Sequence, residues 1–197
     1  MKDIIKYLRE LSIIVVGIAI TVLSGLWINQ KNNEKDIELY FENIKMELQE
    51  NLNDLNGLKY YYEKSANYSD YLMKNNMQNL HPDTLSEYND LTMMHVFFTY
   101  KSSAFKMFET SGTMRLVKDK SKITSIWNCY DAFEFLKIIN DFYIERKVSF
   151  VERIPGLTIT NVSQELLFGF YANEMAENWA GLFAIHTKHI EETIAKL

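Results

Sequence analysis

Residues 11–30, LSIIVVGIAITVLSGLWINQ, carry no charged side chain, and 11–28 are mainly Ile, Val and Leu with no polar stripe that could face water. That length and evenness predict a membrane-spanning helix. On an insertion scale the Leu, Ile and Val residues of the run contribute roughly −3 to −7 kcal/mol, against smaller costs from Ser12, Thr21, Ser24 and the glycines. Trp27 stands at the far end, where an interfacial indole belongs. Two other structures fit the same run. One is a core helix wrapped on all sides by the rest of the domain. The other is an export signal cleaved after Ser24, with Val22 and Ser24 as its small residues, although the apolar run is longer than a usual signal and lacks an A-x-A pattern. The expectation is a retained anchor. It divides the chain into a tail and membrane anchor over 1–30 and a soluble helical domain over 31–197. Lys2, Lys6 and Arg9 precede the span while Lys31 and Lys35 follow it, which predicts a cytoplasmic N-terminus and an extracytoplasmic body. Inside the span Gly17, Thr21 and Gly25 recur every four residues. They form a stripe of small side chains along which a second helix can approach.

Beyond the span no Gly or Pro occurs before Gly57, so the helix is expected to run on. Ile37, Phe41, Ile44, Leu48, Leu52, Leu55 and Tyr62 keep near-heptad spacing with charges between them. If helical over 31–72, this stalk or bundle helix would extend on the order of 60 Å at 1.5 Å per residue. Asn51, Asn53, Asn56 and Gly57 weaken its middle, where a bend is expected. KNNMQNLHPDT reads as a loop, with a capping box at Thr84 and Glu87 opening the next helix. The run LTMMHVFFTY reads as helix or buried connection, because a lone strand would have no partner, and His95 within it as a core histidine. A helix from about Ser103 should stop at Gly112 in the left-handed conformation. Asp119 or Ser121 then caps a long helix to Glu152 with Ile123, Ile126, Tyr130, Phe133 and Leu136 on one face, ending at Ile154, Pro155 and Gly156. A cap over 161–164 opens a last helix with Phe168, Tyr171, Met175, Trp179, Leu182, Ile190, Ile194 and Leu197 near one face. The fold class is therefore all-α: an N-terminal transmembrane helix continuing into, or followed by, an antiparallel bundle of about four to five helices.

Composition agrees with this pattern. The chain is 47% hydrophobic with only seven Gly and two Pro in 197 residues, too apolar for disorder and too poor in breakers for a many-turned β fold. A net charge of −5 offers no polycationic surface, so nucleic acid is not an expected partner. The single Cys129 forbids an internal disulfide or a cysteine zinc cage. Its place between Ile126 and Phe133 makes it a small buried hydrophobe.

Candidate chemistry is sparse. His186 and His189 are one turn apart with Glu192 three residues further on, a weak metal set whose bland reading is a solvated helix face. Ser111, Gly112 and Arg115 can form a small anion-binding turn, although a helix stop alone explains the glycine. Tyr60, Tyr61, Tyr62, Tyr68 and Tyr71 suit a ligand platform, yet three adjacent side chains point in different directions around a helix. At least one should be exposed and the others packed in the core. No Gly-rich phosphate loop and no nucleophile with a placed base is present, and no cofactor is expected.

Glu10, Gly17-Ile18-x-Ile20 and Trp27, followed by IELYFENIKMELQENLNDL, resemble a family of uncharacterised single-span membrane proteins of Gram-negative bacteria, a domain of unknown function. AFKMFETSGTMRLVKDKSKITSIWNCYD is similar to that family's second recurring segment, a helix closing on Ser-Gly before a basic Leu-Val-Lys run. Ile28 departs from the pattern, which has Asn after the Trp; here Asn29 follows one place later. The resemblance implies an inner-membrane anchor with a helical domain outside, and no known activity. Three functions are then weighed. The favoured one is a membrane-tethered helical scaffold that binds a protein partner or itself. The alternatives are an extracytoplasmic ligand sensor signalling through a partner, and a hydrolase with a metal on His186, His189 and Glu192.

Overall fold

The structure is a computed structural model that describes residues 2–75, 81–88, 91, 96–152 and 175–197. It is all-helical, and the described residues contain no strand. Helix α1 (Lys2–Lys74) is followed by α2 (Pro82–Glu87), α3 (Ser103–Thr110), a 3-10 turn (Thr113–Leu116), α4 (Lys120–Glu152) and α5 (Met175–Lys196). His95, the stop at 154–156, the cap at 161–164, Phe168 and Tyr171 lie outside the described residues. Nothing is described of the side chains of Met175 and Trp179.

Two compact units emerge: 1–44 with 104–118, and 45–103 with 119–197. In the first, α3 lies on α1. Phe108 is fully buried, its ring 5.4 Å from Tyr40 and 5.6 Å from Phe41. Gly112 then takes φ 71°, a left-handed conformation cheap only for glycine, and turns the chain into the 3-10 segment. Ser111 N–H donates to the Met107 carbonyl at 3.0 Å, closing the helix as its sequence predicts. Val117 is buried, and Lys118 pairs with Glu34 at 3.2 Å.

In the second unit α1 and α4 run in the same direction. Glu47 meets Tyr130, Tyr62 meets Asn140 and Tyr61 meets Lys147, so both numbers rise together. Helix α5 is antiparallel to α4, with His186 beside Phe135 and Thr193 beside Cys129. The predicted faces form the core of this unit: Leu48, Leu52, Leu55 and Tyr62 of α1 are buried, as are Ile123, Ile126, Cys129, Tyr130, Phe133 and Leu136 of α4 and Ile190 and Ile194 of α5; Ile44, the last residue of α1 in the first unit, is buried too. Asp119 caps α4, its carboxylate accepting the Ser121 N–H at 3.0 Å and hydroxyl at 2.5 Å; these bonds hold its pKa below the usual carboxylate range.

Helix α1 stays helical through Asn51, Asn53, Asn56 and Gly57, and the Asn51 side chain is used elsewhere. Buried against 96–102, it donates to the Lys101 carbonyl and accepts the Lys101 N–H, each at 2.8 Å, supplying the ladder partner an irregular segment lacks. Helix α2 starts two residues before the expected capping box, with His81 at its N-cap and Pro82 in the first helical position, whose fixed φ suits that place.

Candidate functional site

The apolar run forms the first part of α1, and it is the one described helix long and apolar enough to cross a membrane. None of its most apolar window is buried. A core helix would be covered, so the exposure of Ile13, Val16, Ile20 and Leu23 removes that reading and leaves a surface suited to lipid. The helix continues unbroken through Ser24. Its polar groups are satisfied within itself: Ser12 Oγ donates to the Leu8 carbonyl at 2.7 Å and Thr21 Oγ1 to the Gly17 carbonyl at 2.9 Å. Around Gly17 and Gly25 a Cβ would meet no atom within 4 Å, so the small-residue stripe faces open space. At the end of the run Lys31 Nζ lies 4.9 Å from the centre of the exposed Trp27 ring, an aromatic-cation pair suited to an interface.

The turn after α3 brings Ser111, Gly112 and Arg115 into one short segment, but most of its polarity is internal. The Ser111 hydroxyl donates to the Phe108 carbonyl at 2.7 Å and accepts the Thr113 N–H at 3.1 Å. Two of the donors that would cradle a small anion, the Ser111 hydroxyl and the Thr113 N–H, are thus already engaged. Arg115 and Leu116 stand exposed beside them.

His186 and His189 follow each other along α5. His186 packs its ring 5.3 Å from Phe135, and partial burial, then the neighbouring His189, lowers its pKa below the ordinary histidine value. Among the described residues no three His, Cys, Asp or Glu side chains gather as a metal set, so Glu192 does not complete one with the two histidines.

The tyrosines divide as helical geometry requires. Tyr60 is 67% exposed, whereas Tyr61, Tyr62 and Tyr68 are buried. Tyr62 stacks on Phe183 at 4.5 Å, donates to Asn140 Oδ1 at 3.0 Å, and has its pKa driven up by burial. Asn140 in turn donates to the Val96 carbonyl at 2.9 Å. These side chains hold the helices in register. A ligand platform would need them accessible.

Two buried charges escape sequence reasoning. Glu47 accepts the Tyr130 hydroxyl at 2.5 Å; burial, then this bond, raises the tyrosine's pKa. Lys147 is 3% exposed, donates to Tyr61 Oη at 3.1 Å and to the Leu91 carbonyl, and is lowered by burial to about 8. Its unfolded-state value is near 10.5. The folded chain therefore releases this proton first, and stability rises with pH above about 8, by up to about 3 kcal/mol for a shift of this size. Above about pH 10 the unfolded tyrosines ionise while Tyr62 and Tyr130 resist, which reverses the trend. Chemical denaturation between pH 7 and 10 should show the rise in the native chain and none in Lys147→Met, where the buried Cys129 thiol, raised by its burial, leaves a fall toward the top of the range. Parallel profiles for the two chains would refute it.

One surface remains. On α4 the side chains of Trp127, Phe135, Ile138 and Phe142 fall within an arc of about 80° at 100° per residue. They are 39%, 43%, 56% and 50% exposed, a second apolar face behind the one that builds the core. Ile185, beside His186 on α5, is also exposed. Arg146 lies over the Phe142 ring at 5.5 Å. This aromatic strip, with Asp131 in its midst and Arg146 at one end, has the mixed make-up of a protein-binding patch.

No family model, no curated protein and no solved structure matches the chain. The resemblance to single-span membrane proteins rests on its quoted residues alone.

Proposed function

We propose that this chain is a membrane-anchored helical interaction protein, not an enzyme, which docks a protein partner or a second copy of itself on the exposed strip of α4. The strip is the observation that carries the reading: four large apolar side chains on one helix face, each 39–56% exposed, on a bundle where Tyr61, Tyr62, Phe133 and Phe183 are spent on packing. The anchor supports it by tethering the chain to a bilayer, where partners diffuse in two dimensions. The excess of Lys2, Lys6 and Arg9 over Lys31 and Lys35 supports a cytoplasmic N-terminus and an extracytoplasmic body. Glu10, Gly17, Ile18, Ile20 and Trp27 support placing the chain among uncharacterised single-span inner-membrane proteins. The uncovered stripe of Gly17, Thr21 and Gly25 offers a second seam for self-association within the membrane.

Photo-crosslinking in native membranes, with the reactive group at position 139 on α4, tests the docking face. A discrete adduct is expected. Ile138→Glu with Phe142→Glu should weaken it about 30-fold or more, the loss typical of a single central anchor. Gly17→Leu with Gly25→Leu should weaken only adducts between copies of this chain. Absence of any adduct, with a monomer in detergent, contradicts the reading.

A further inference from the structure

We propose that the turn at 111–118 rests on the bilayer that the anchor crosses, with Leu116 set into the headgroup layer and Arg115 against an anionic lipid phosphate. This rests on the anchor reading and adds a second, peripheral membrane contact to it.

The path of the chain in the first unit carries the inference. Phe108 packs at the level of Tyr40 and Phe41, and ten residues later Lys118 pairs with Glu34. Between them the chain has moved toward the apolar run by six or seven residues of α1, about 10 Å. Glu34 is itself six residues past Ile28, about 9 Å beyond the last apolar residue of the span. The polar layer on each side of the hydrocarbon is roughly 5–8 Å thick. Side chains as long as Arg cover the remaining gap while their apolar stems stay buried.

The composition of the turn fits that place. SGTMRLVK carries Arg115 and Lys118 and no acidic residue. Val117 is buried and holds the turn to the unit, while the neighbouring Leu116 is left 41% exposed. A basic residue beside an uncovered leucine suits an anionic interface. A free phosphate is the poorer occupant, because Ser111 Oγ and the Thr113 N–H already bond each other and Leu116 gives a small anion nothing. Trp27 and Lys31 mark the same interface on α1, so the contact continues one already implied by the span.

The test uses the full chain in nanodiscs of phosphatidylcholine, with or without phosphatidylglycerol, and a fluorophore on one introduced cysteine. Cys129 is fully buried and stays unlabelled. The introduced sites are Leu116→Cys, Val22→Cys in the span and Glu42→Cys, exposed on α1 well past the interface. Nitroxide lipids with the spin label near the headgroup should quench the label at 116 and spare that at 42, more strongly with phosphatidylglycerol. Nitroxides deep in the acyl chain should quench the label at 22. Arg115→Gln should lower the docking equilibrium at 116 about fivefold in the anionic discs, the effect of one basic residue near such a surface. Quenching at 22 with equal quenching at 116 and 42 overturns this proposal and leaves the anchor standing. Indifference to phosphatidylglycerol and to Arg115→Gln removes the phosphate contact. No quenching at 22 removes the anchor and this proposal together.

Discussion

Deleting residues 2–30 transfers the chain from the membrane fraction to the soluble fraction and leaves its thermal midpoint within a few degrees of the detergent-solubilised full chain. Both halves of that result follow from one observation. The most apolar window of α1 is entirely uncovered, so its removal takes nothing from the core, and no other described helix is apolar enough to hold the chain in lipid. A graded version is expected too. Ile18→Arg with Leu23→Arg adds roughly 5 to 7 kcal/mol of insertion cost, enough to offset the roughly −3 to −7 kcal/mol from the run's aliphatic residues. The double variant should therefore divide between the two fractions. Fractionation and immunoblotting read the first effect, and circular dichroism melting reads the second. A truncated chain that pellets with membranes, or that melts without cooperativity, would show that the segment does something other than anchor.

Phe133→Ala is the substitution expected to cost the body most. Phe133 is fully buried and sits among Phe98 at 6.2 Å, Tyr100 at 5.8 Å and Tyr130 at 6.2 Å, where rings from α4 and the 96–100 segment interlock. Removing a buried ring costs about 3–5 kcal/mol, since the surrounding side chains collapse only partly into the space. For a body of this size that is roughly a 6–20 °C fall in the melting midpoint. Tyr60→Ala, at an exposed position of α1, should change stability by no more than about 0.5 kcal/mol. Equal effects at the two sites would mean that the aromatic cluster is not the core.

The helices that carry this cluster are legible in the sequence because their core faces repeat at helical spacing. Ile44, Leu48, Leu52 and Leu55 on α1, and Ile126, Tyr130 and Phe133 on α4, announce burial by period alone. Gly112 is equally legible, since a glycine closing a helix before a basic run has one common conformation. What period cannot show is which polar residue is enclosed. Asn51, Glu47 and Lys147 lie within amphipathic helices, and only the tertiary arrangement reveals that Lys101, Tyr130 and Tyr61 meet them. The outer strip of α4 is hidden for the opposite reason. That helix is apolar on two faces, and choosing Ile123 to Leu136 as the core leaves Trp127, Phe135, Ile138 and Phe142 looking like scatter. The capping box at Thr84 fails because Pro82 starts the helix earlier, a local preference stronger than the Thr-to-Glu spacing.

Alkaline extraction of native membranes, followed by intact mass measurement of the full chain, tests the anchor most directly. Retention in the pellet at a mass that includes residues 2–24 is the predicted result. Release into the supernatant, or a mature chain that begins after Ser24, would contradict it and would take with it both the tether and the headgroup contact of Leu116.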